Sequence, residues 1–253
     1  MPFRAFSSVR PLALASLAFG LWVGCAREDA LTVFASASAA DAAQDLAEAF
    51  EGKTRISPGA TSALARQIDA GAPASVALLV GDEWVDWLGS RQRLSGEPIE
   101  VSRGALAVVV PARDSAWASL RPLARVERLA LADPAHVPAG RFAQAALERA
   151  GLWRGVSSRV IPFADVRAAL GAVASGRADA AVVYQTDARL SNRVRTAALF
   201  PDSLVAPIVY RCAVVAGSGR EAEGEAFCAH ARASGETWRR RGFRAVQKTP
   251  ADL

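Results

Sequence analysis

Leu31-Thr32-Val33-Phe34-Ala35-Ser36-Ala37-Ser38 is the stretch on which the reading of this chain turns. Its opening, Leu31–Ala35, is an apolar run of strand length, and the residues that follow Ser38, Ala39–Phe50, carry apolar side chains at helical spacing. A strand that ends in small and hydroxyl residues and then opens a helix is the start of a β-α-β unit. The same succession continues along the chain. Strands are predicted at Val76–Val80, Ala105–Val110, Arg128–Ala132, Arg159–Pro162, Ala178–Tyr184 and Ile208–Ala216. Helices are predicted at Ser62–Ala70, Glu83–Leu88, Arg141–Ala150, Val166–Ser175 and Glu221–Ala233. This order predicts an α/β fold with crossover connections, and strands that are apolar throughout predict parallel sheet covered on both faces.

The middle of the chain, 112–205, holds its own set of strands and helices, whereas the segments on either side do not each complete a sheet. That pattern predicts a discontinuous first lobe, 31–111 with 206–253, closing around an inserted second lobe. Ligand is expected in the cleft between them, at helix N-termini beyond the carboxyl ends of the strands.

Residues 1–24 have a different character. Arg4 and Arg10 precede the apolar run Pro11–Val23, which ends in Gly24-Cys25. The run falls short of the roughly 20 residues that span a membrane, so it reads as an export signal peptide. Gly24-Cys25 behind Leu21 and Val23 resembles a bacterial lipobox, with Trp22 where leucine is usual. The expectation is a lipid-anchored protein that begins at an acylated Cys25, with 25–30 as a tether, in the periplasm or on the outer side of the cytoplasmic membrane. Ordinary cleavage nearby is the alternative.

The 253 residues are 51% hydrophobic and 22% charged, which excludes a disordered chain. The net charge of +5 falls to +3 once Arg4 and Arg10 are removed, a surplus too small to call for nucleic acid. The two histidines, His136 and His230, and the cysteines Cys25, Cys212 and Cys228 show no zinc-binding spacing. In an exported protein Cys212 and Cys228 form an even pair. They are either bridged or two small buried side chains.

Four places share one design, in which a strand or loop ends, small or hydroxyl residues follow, and a helix begins. They are Phe34–Ser38, Pro58–Ser62, His136–Gly140 and Phe163–Val166. Free N–H groups and the positive end of the helix dipole make each start a candidate anion contact, although Ser and Thr there are also ordinary caps. Four such starts in a fold whose cleft gathers them favour an oxyanion site built from neutral donors. Arg66 and Arg141 sit further inside their helices and are expected to be solvated or paired rather than to clamp the ligand. His136 is expected to be a loop hydrogen-bonding residue, and Trp238-Arg239-Arg240-Arg241 the exposed face of a terminal helix.

Four longer phrases carry a resemblance. These are Leu31–Ser38, Leu64-Ala65-Arg66-Gln67-Ile68-Asp69-Ala70-Gly71-Ala72-Pro73-Ala74, Ala132-Asp133-Pro134-Ala135-His136-Val137-Pro138-Ala139-Gly140-Arg141-Phe142-Ala143 and Val182-Val183-Tyr184-Gln185-Thr186-Asp187-Ala188. From Leu31 to Phe243 the chain resembles the periplasmic molybdate-binding proteins of ABC importers. The resemblance implies a two-lobe, type II periplasmic binding protein fold with an interlobe cleft. It implies oxyanion contacts at Ser38 and Thr61 from the first lobe and at Ala139, Val166 and Tyr184 from the second, with Ser62 as a possible addition. Thr61 stands where the family commonly has serine, and Ser75 and Val80-Gly81 also depart from its pattern.

On this reading the chain is a monomeric receptor, not an enzyme. It needs no cofactor, captures molybdate and tungstate, and delivers them to a membrane permease. The ATPase is a separate chain, because no G-x-x-x-x-G-K-[ST] loop is present. The alternatives are the same fold with sulfate, phosphate or another oxyanion, or an enzyme on the same scaffold.

Overall fold

The computed structural model describes residues 30–244 and 246. The export signal 1–24, Cys25 and all of the tether except Ala30 lie outside the described residues. The strands are β1 Leu31–Ser36, β2 Thr54–Gly59, β3 Val76–Val80, β4 Leu94–Gly104, β5 Leu106–Pro111, β6 Leu129–Ala132, β7 Val160–Phe163, β8 Ala180–Tyr184, β9 Val194–Leu199 and β10 Ile208–Val215. The helices are α1 Ala40–Ala49, α2 Thr61–Asp69, α3 Asp82–Ser90, α4 Pro138–Arg149, α5 Trp153–Val156, α6 Val166–Ala174, α7 Glu221–Ala233 and α8 Gly235–Arg240.

The strands form two five-stranded sheets, ordered β2-β1-β3-β10-β4 and β7-β6-β8-β5-β9. In both, the three strands at one side are parallel and the other two run antiparallel to their neighbours. β1 runs parallel to β2 and β3, and β6 to β7 and β8, whereas β10 is antiparallel to β3 and β4 and β5 is antiparallel to β8 and β9. The expected parallel pairing holds for those three strands of each sheet, while the strands next to the crossings between sheets run in the opposite sense. β1, β3, β6 and β8 are buried along their whole length, which is why their sequences carry no polar alternation.

The chain passes between sheets twice, directly after Gly104 and again through 200–207. β5 therefore belongs to the second sheet, and the lobe boundary expected after residue 111 falls before Leu106. Gly104 sits where the crossing strands crowd one another. A Cβ there would stand 3.0 Å from Cγ2 of Ile208 and 3.2 Å from Cε2 of Tyr210.

Cys212 on β10 and Cys228 on α7 are joined in a disulfide, with a Cα–Cα separation of 5.4 Å. The bridge fastens α7 to the first sheet. The terminal helix α8 corrects another expectation. Trp238 is fully buried against Tyr210 and Phe243, and its Nε1 donates to the Ala231 carbonyl at 2.8 Å. Only the arginines around it face outward. Arg239 pairs with Glu236 and Arg241 with Asp45.

Candidate functional site

The carboxyl ends of β1, β2 and β3 meet those of β6, β7 and β8 across the gap between the sheets, and the helices that follow begin there. In the first sheet Ser36, the last residue of β1, lies in register with Gly59, the last of β2. Between the two sets of strand ends is a small cavity of about 10 Å³. That is below the roughly 300–1,000 Å³ of sites for larger organic ligands and suits a small ion. The cavity is lined by Ser36, Ala37, Ser38, Gly59, Ala60, Thr61, Val80, Val137, Pro138, Ala139, Asp165, Val166 and Tyr184. Ser38, Thr61, Ala139, Val166 and Tyr184, which are far apart in sequence, are thus brought to one place.

Each wall supplies donors for a local reason. α2 and α4 have no side-chain cap, so the amides that open them, Thr61 and Ser62 in α2 and Ala139 and Gly140 in α4, are left without a capping partner. α4 opens with Pro138, which has no N–H, and its first donors are therefore Ala139 and Gly140. Gly140 lets that helix seat on the end of β6, since a Cβ at this position would lie 2.0 Å from the Ala132 carbonyl oxygen. At α6 the Asp165 side chain accepts from the amides of Arg167 and Ala168, at 2.8 and 2.9 Å. The amide of Val166, one residue earlier, takes no part in that cap.

The hydroxyls are held from behind. The Ser36 and Thr61 hydroxyls bond each other at 2.7 Å, and Ser36 Oγ also accepts from the amide of Val80 at 3.0 Å. Ser38 Oγ pairs with Tyr210 Oη at 2.9 Å. The Tyr184 hydroxyl is buried with no hydrogen-bond partner. Burial above all, and then the neighbouring Tyr210 and Asp187, push its pKa well above the usual tyrosine value, so it keeps its proton and stays a donor. Asp165 is the one charged side chain of the lining, and its carboxylate is engaged in capping.

The residues set aside in the sequence lie elsewhere. Arg66 stacks over Trp84, 5.3 Å from the ring centroid. Arg141 forms an ion pair with Glu83 across the cleft. His136 is exposed, with Nδ1 3.1 Å from Asp133. Ser62 is buried on α2 but does not line the cavity. Sequence reasoning missed Ser36 as a lining residue, although it stands two places before Ser38 in the opening phrase. It also missed what lies behind Tyr184. Asp187 is fully buried, neither of its carboxylate oxygens receives a hydrogen bond of good geometry, and Arg167 Nε is 3.8 Å away. Burial raises the Asp187 pKa to about 7, against the pull of Arg167 and of a backbone contact at Tyr184. Among the described residues no cluster of His, Cys, Asp and Glu is placed to hold a metal ion.

Comparison with known proteins agrees with this architecture. The molybdate-binding protein ModA of Haemophilus influenzae is 34% identical over 218 residues, covering 81% of this chain and 86% of that protein. ModA of Escherichia coli is 35% identical, covering 76% and 79% respectively. The solved periplasmic molybdate-binding protein of Azotobacter vinelandii shares the fold, with a TM-score of 0.77 at 19% identity over 86% of this chain and 100% of that one. The sequence profile described as "Bacterial extracellular solute-binding protein" matches residues 31–244. The chain belongs to the bacterial extracellular solute-binding protein family.

Proposed function

We propose that this chain is the extracytoplasmic receptor of an ABC importer, that it captures molybdate or tungstate between its lobes, and that it hands the anion to the permease. The observation that carries this reading is the composition of the cavity. Ser38, Thr61, Ala139, Val166 and Tyr184 line a space sized for a small ion, and they offer hydroxyl and backbone donors with no cationic side chain among them. A tetrahedral dianion is recognised by such donors arranged around its oxygens, while the lack of a counter-cation keeps other anions from binding on charge alone. Tyr184 lines the same space, and its orphaned hydroxyl is the donor an anion would satisfy. The identity to ModA proteins supports the choice of ion.

The role is binding rather than catalysis. The lining offers no pair of titratable groups free to exchange protons with a substrate, and the relatives are molybdate-binding proteins. The family is an extracellular one, and no helix among the described residues is long and apolar enough to cross a membrane. Anchorage at an acylated Cys25 as a monomer completes the proposal, and Cys25→Ser should move the protein out of the membrane fraction with its anion affinity unchanged. If wild type and variant fractionate alike, the anchor is wrong.

Tryptophan fluorescence tests the ion. Trp84 and Trp87 lie on α3 of the first lobe, and Trp153 on α5 of the second. Titration with molybdate or tungstate should shift the emission at far lower concentration than sulfate or phosphate. Equal or tighter response to sulfate would reassign the ion.

A further inference from the structure

A dianion held by neutral donors brings two charges into a cavity that has no counter-ion of its own. The polar groups directly behind Tyr184 are therefore part of its electrostatics. Three of them, Thr186 Oγ1, Arg167 Nε and the Asp187 carboxylate, are buried without hydrogen-bond partners, as is Tyr184 Oη itself. Arg167 follows Val166 at the start of α6. Its terminal nitrogen pairs with Asp41 of α1, in the opposite lobe, while its Nε faces Asp187 at a distance too long for a hydrogen bond. With Asp187 ionised, the set Asp41, Arg167 and Asp187 carries net negative charge beside the anion cavity. With Asp187 protonated, the set is neutral.

We propose that Asp187 takes up a proton from solvent when the lobes close on the anion, so that capture of the dianion is coupled to protonation. This rests on the oxyanion reading above. Opening the cleft separates Arg167 from Asp41 and leaves its guanidinium to Asp187, which then stays ionised. Closure draws Arg167 to Asp41 and brings a dianion close, and both changes favour the neutral acid. The other charged and titratable groups around Asp187 act in the same direction or not at all. Asp165 and Asp41 disfavour its charge, and Tyr184 and Tyr210 are both buried and protonated. On its own turn Arg189 is directed at Gly242, and on β9 Arg195 donates to the carbonyl of Asp114. The value near 7 for Asp187 in this structure places the transition in the neutral range.

The experiment is calorimetric titration of the anchor-free protein with sodium molybdate at pH 7.5, in Hepes and in Tris, whose ionisation enthalpies differ. The apparent binding enthalpy should differ between the buffers in the sense of proton uptake, by up to about one proton per anion. The dissociation constant should rise with pH above neutrality, by at most about tenfold per pH unit. Asp187→Asn should remove the buffer dependence, while the exposed His136→Gln should keep it. Tight binding with identical enthalpies in both buffers, or uptake that disappears with His136 rather than Asp187, overturns the coupling. An absence of binding heat in either buffer, with no fluorescence response to molybdate, overturns the oxyanion reading instead.

Discussion

Tyr184 and Ser38 both offer a hydroxyl to the cavity, yet they differ in what their removal leaves behind. Ser38 is paired with Tyr210, so Ser38→Ala strands a buried phenol and costs stability as well as affinity. Tyr184 Oη has no protein partner, so Tyr184→Phe strands nothing. We expect Tyr184→Phe to unfold no earlier than wild type and to bind molybdate more weakly by about 1–3 kcal/mol, the value of one donor to a charged acceptor. Thermal unfolding with calorimetry on the same sample checks both halves. Wild-type affinity in this variant would remove Tyr184 from the contacts. At this scale the gathering of Ser38, Thr61, Ala139, Val166 and Tyr184 around one cavity was legible through the family resemblance. Ser36 and Asp187 were not. Their roles depend on partners distant in sequence, Val80 and Thr61 for the one and Arg167 with Asp41 for the other, and no local spacing encodes those pairings.

Among elements, the strands that were legible are mostly the ones the fold buries. β1, β3, β5, β6, β8 and β10 are central in their sheets, and their apolar runs announce them. The strands that sequence reading passed over, β2, β4 and β9, are all edge strands. β2 contains Pro58, β4 contains Gly96 and Pro98, and β9 exposes Arg195, all features that edges tolerate and that blunt a strand signal. The boundary at β5 was misread for a related reason, since composition does not reveal which of two sheets a buried strand joins. The disulfide belongs to this scale too. It closes a loop with a sequence separation of 16 between β10 and α7. Replacing Cys212 and Cys228 by serine should lower unfolding stability by about 3 kcal/mol in denaturant titrations, with the folded protein still binding its anion, because the bridge lies in one lobe and away from the cavity. An unchanged denaturation midpoint would show that α7 is held by its packing alone.

For the whole molecule, the two lobes meet through charge as well as through the cavity. Arg141 of α4 pairs with Glu83 of α3, and Arg167 of α6 with Asp41 of α1, one link on each side of the anion site. The side chains of the first pair are 42% and 53% exposed, so it is worth only about 0–1 kcal/mol. Glu83→Gln should therefore weaken molybdate binding by no more than about fivefold, with the difference shrinking as salt is added. A larger, salt-independent loss in equilibrium titrations would mean that closure depends on this pair rather than on the anion. Enclosure of the ion by donors from both lobes is the central claim, and a crystal structure with tungstate, whose heavy atom scatters strongly, tests it most directly. The account predicts one tungsten peak per chain in the cavity, with oxygens in hydrogen-bond reach of the hydroxyls of Ser38, Thr61 and Tyr184 and of the amides of Ala139 and Val166. A tungsten peak outside that cavity, or a cavity left empty under saturating tungstate, would contradict it.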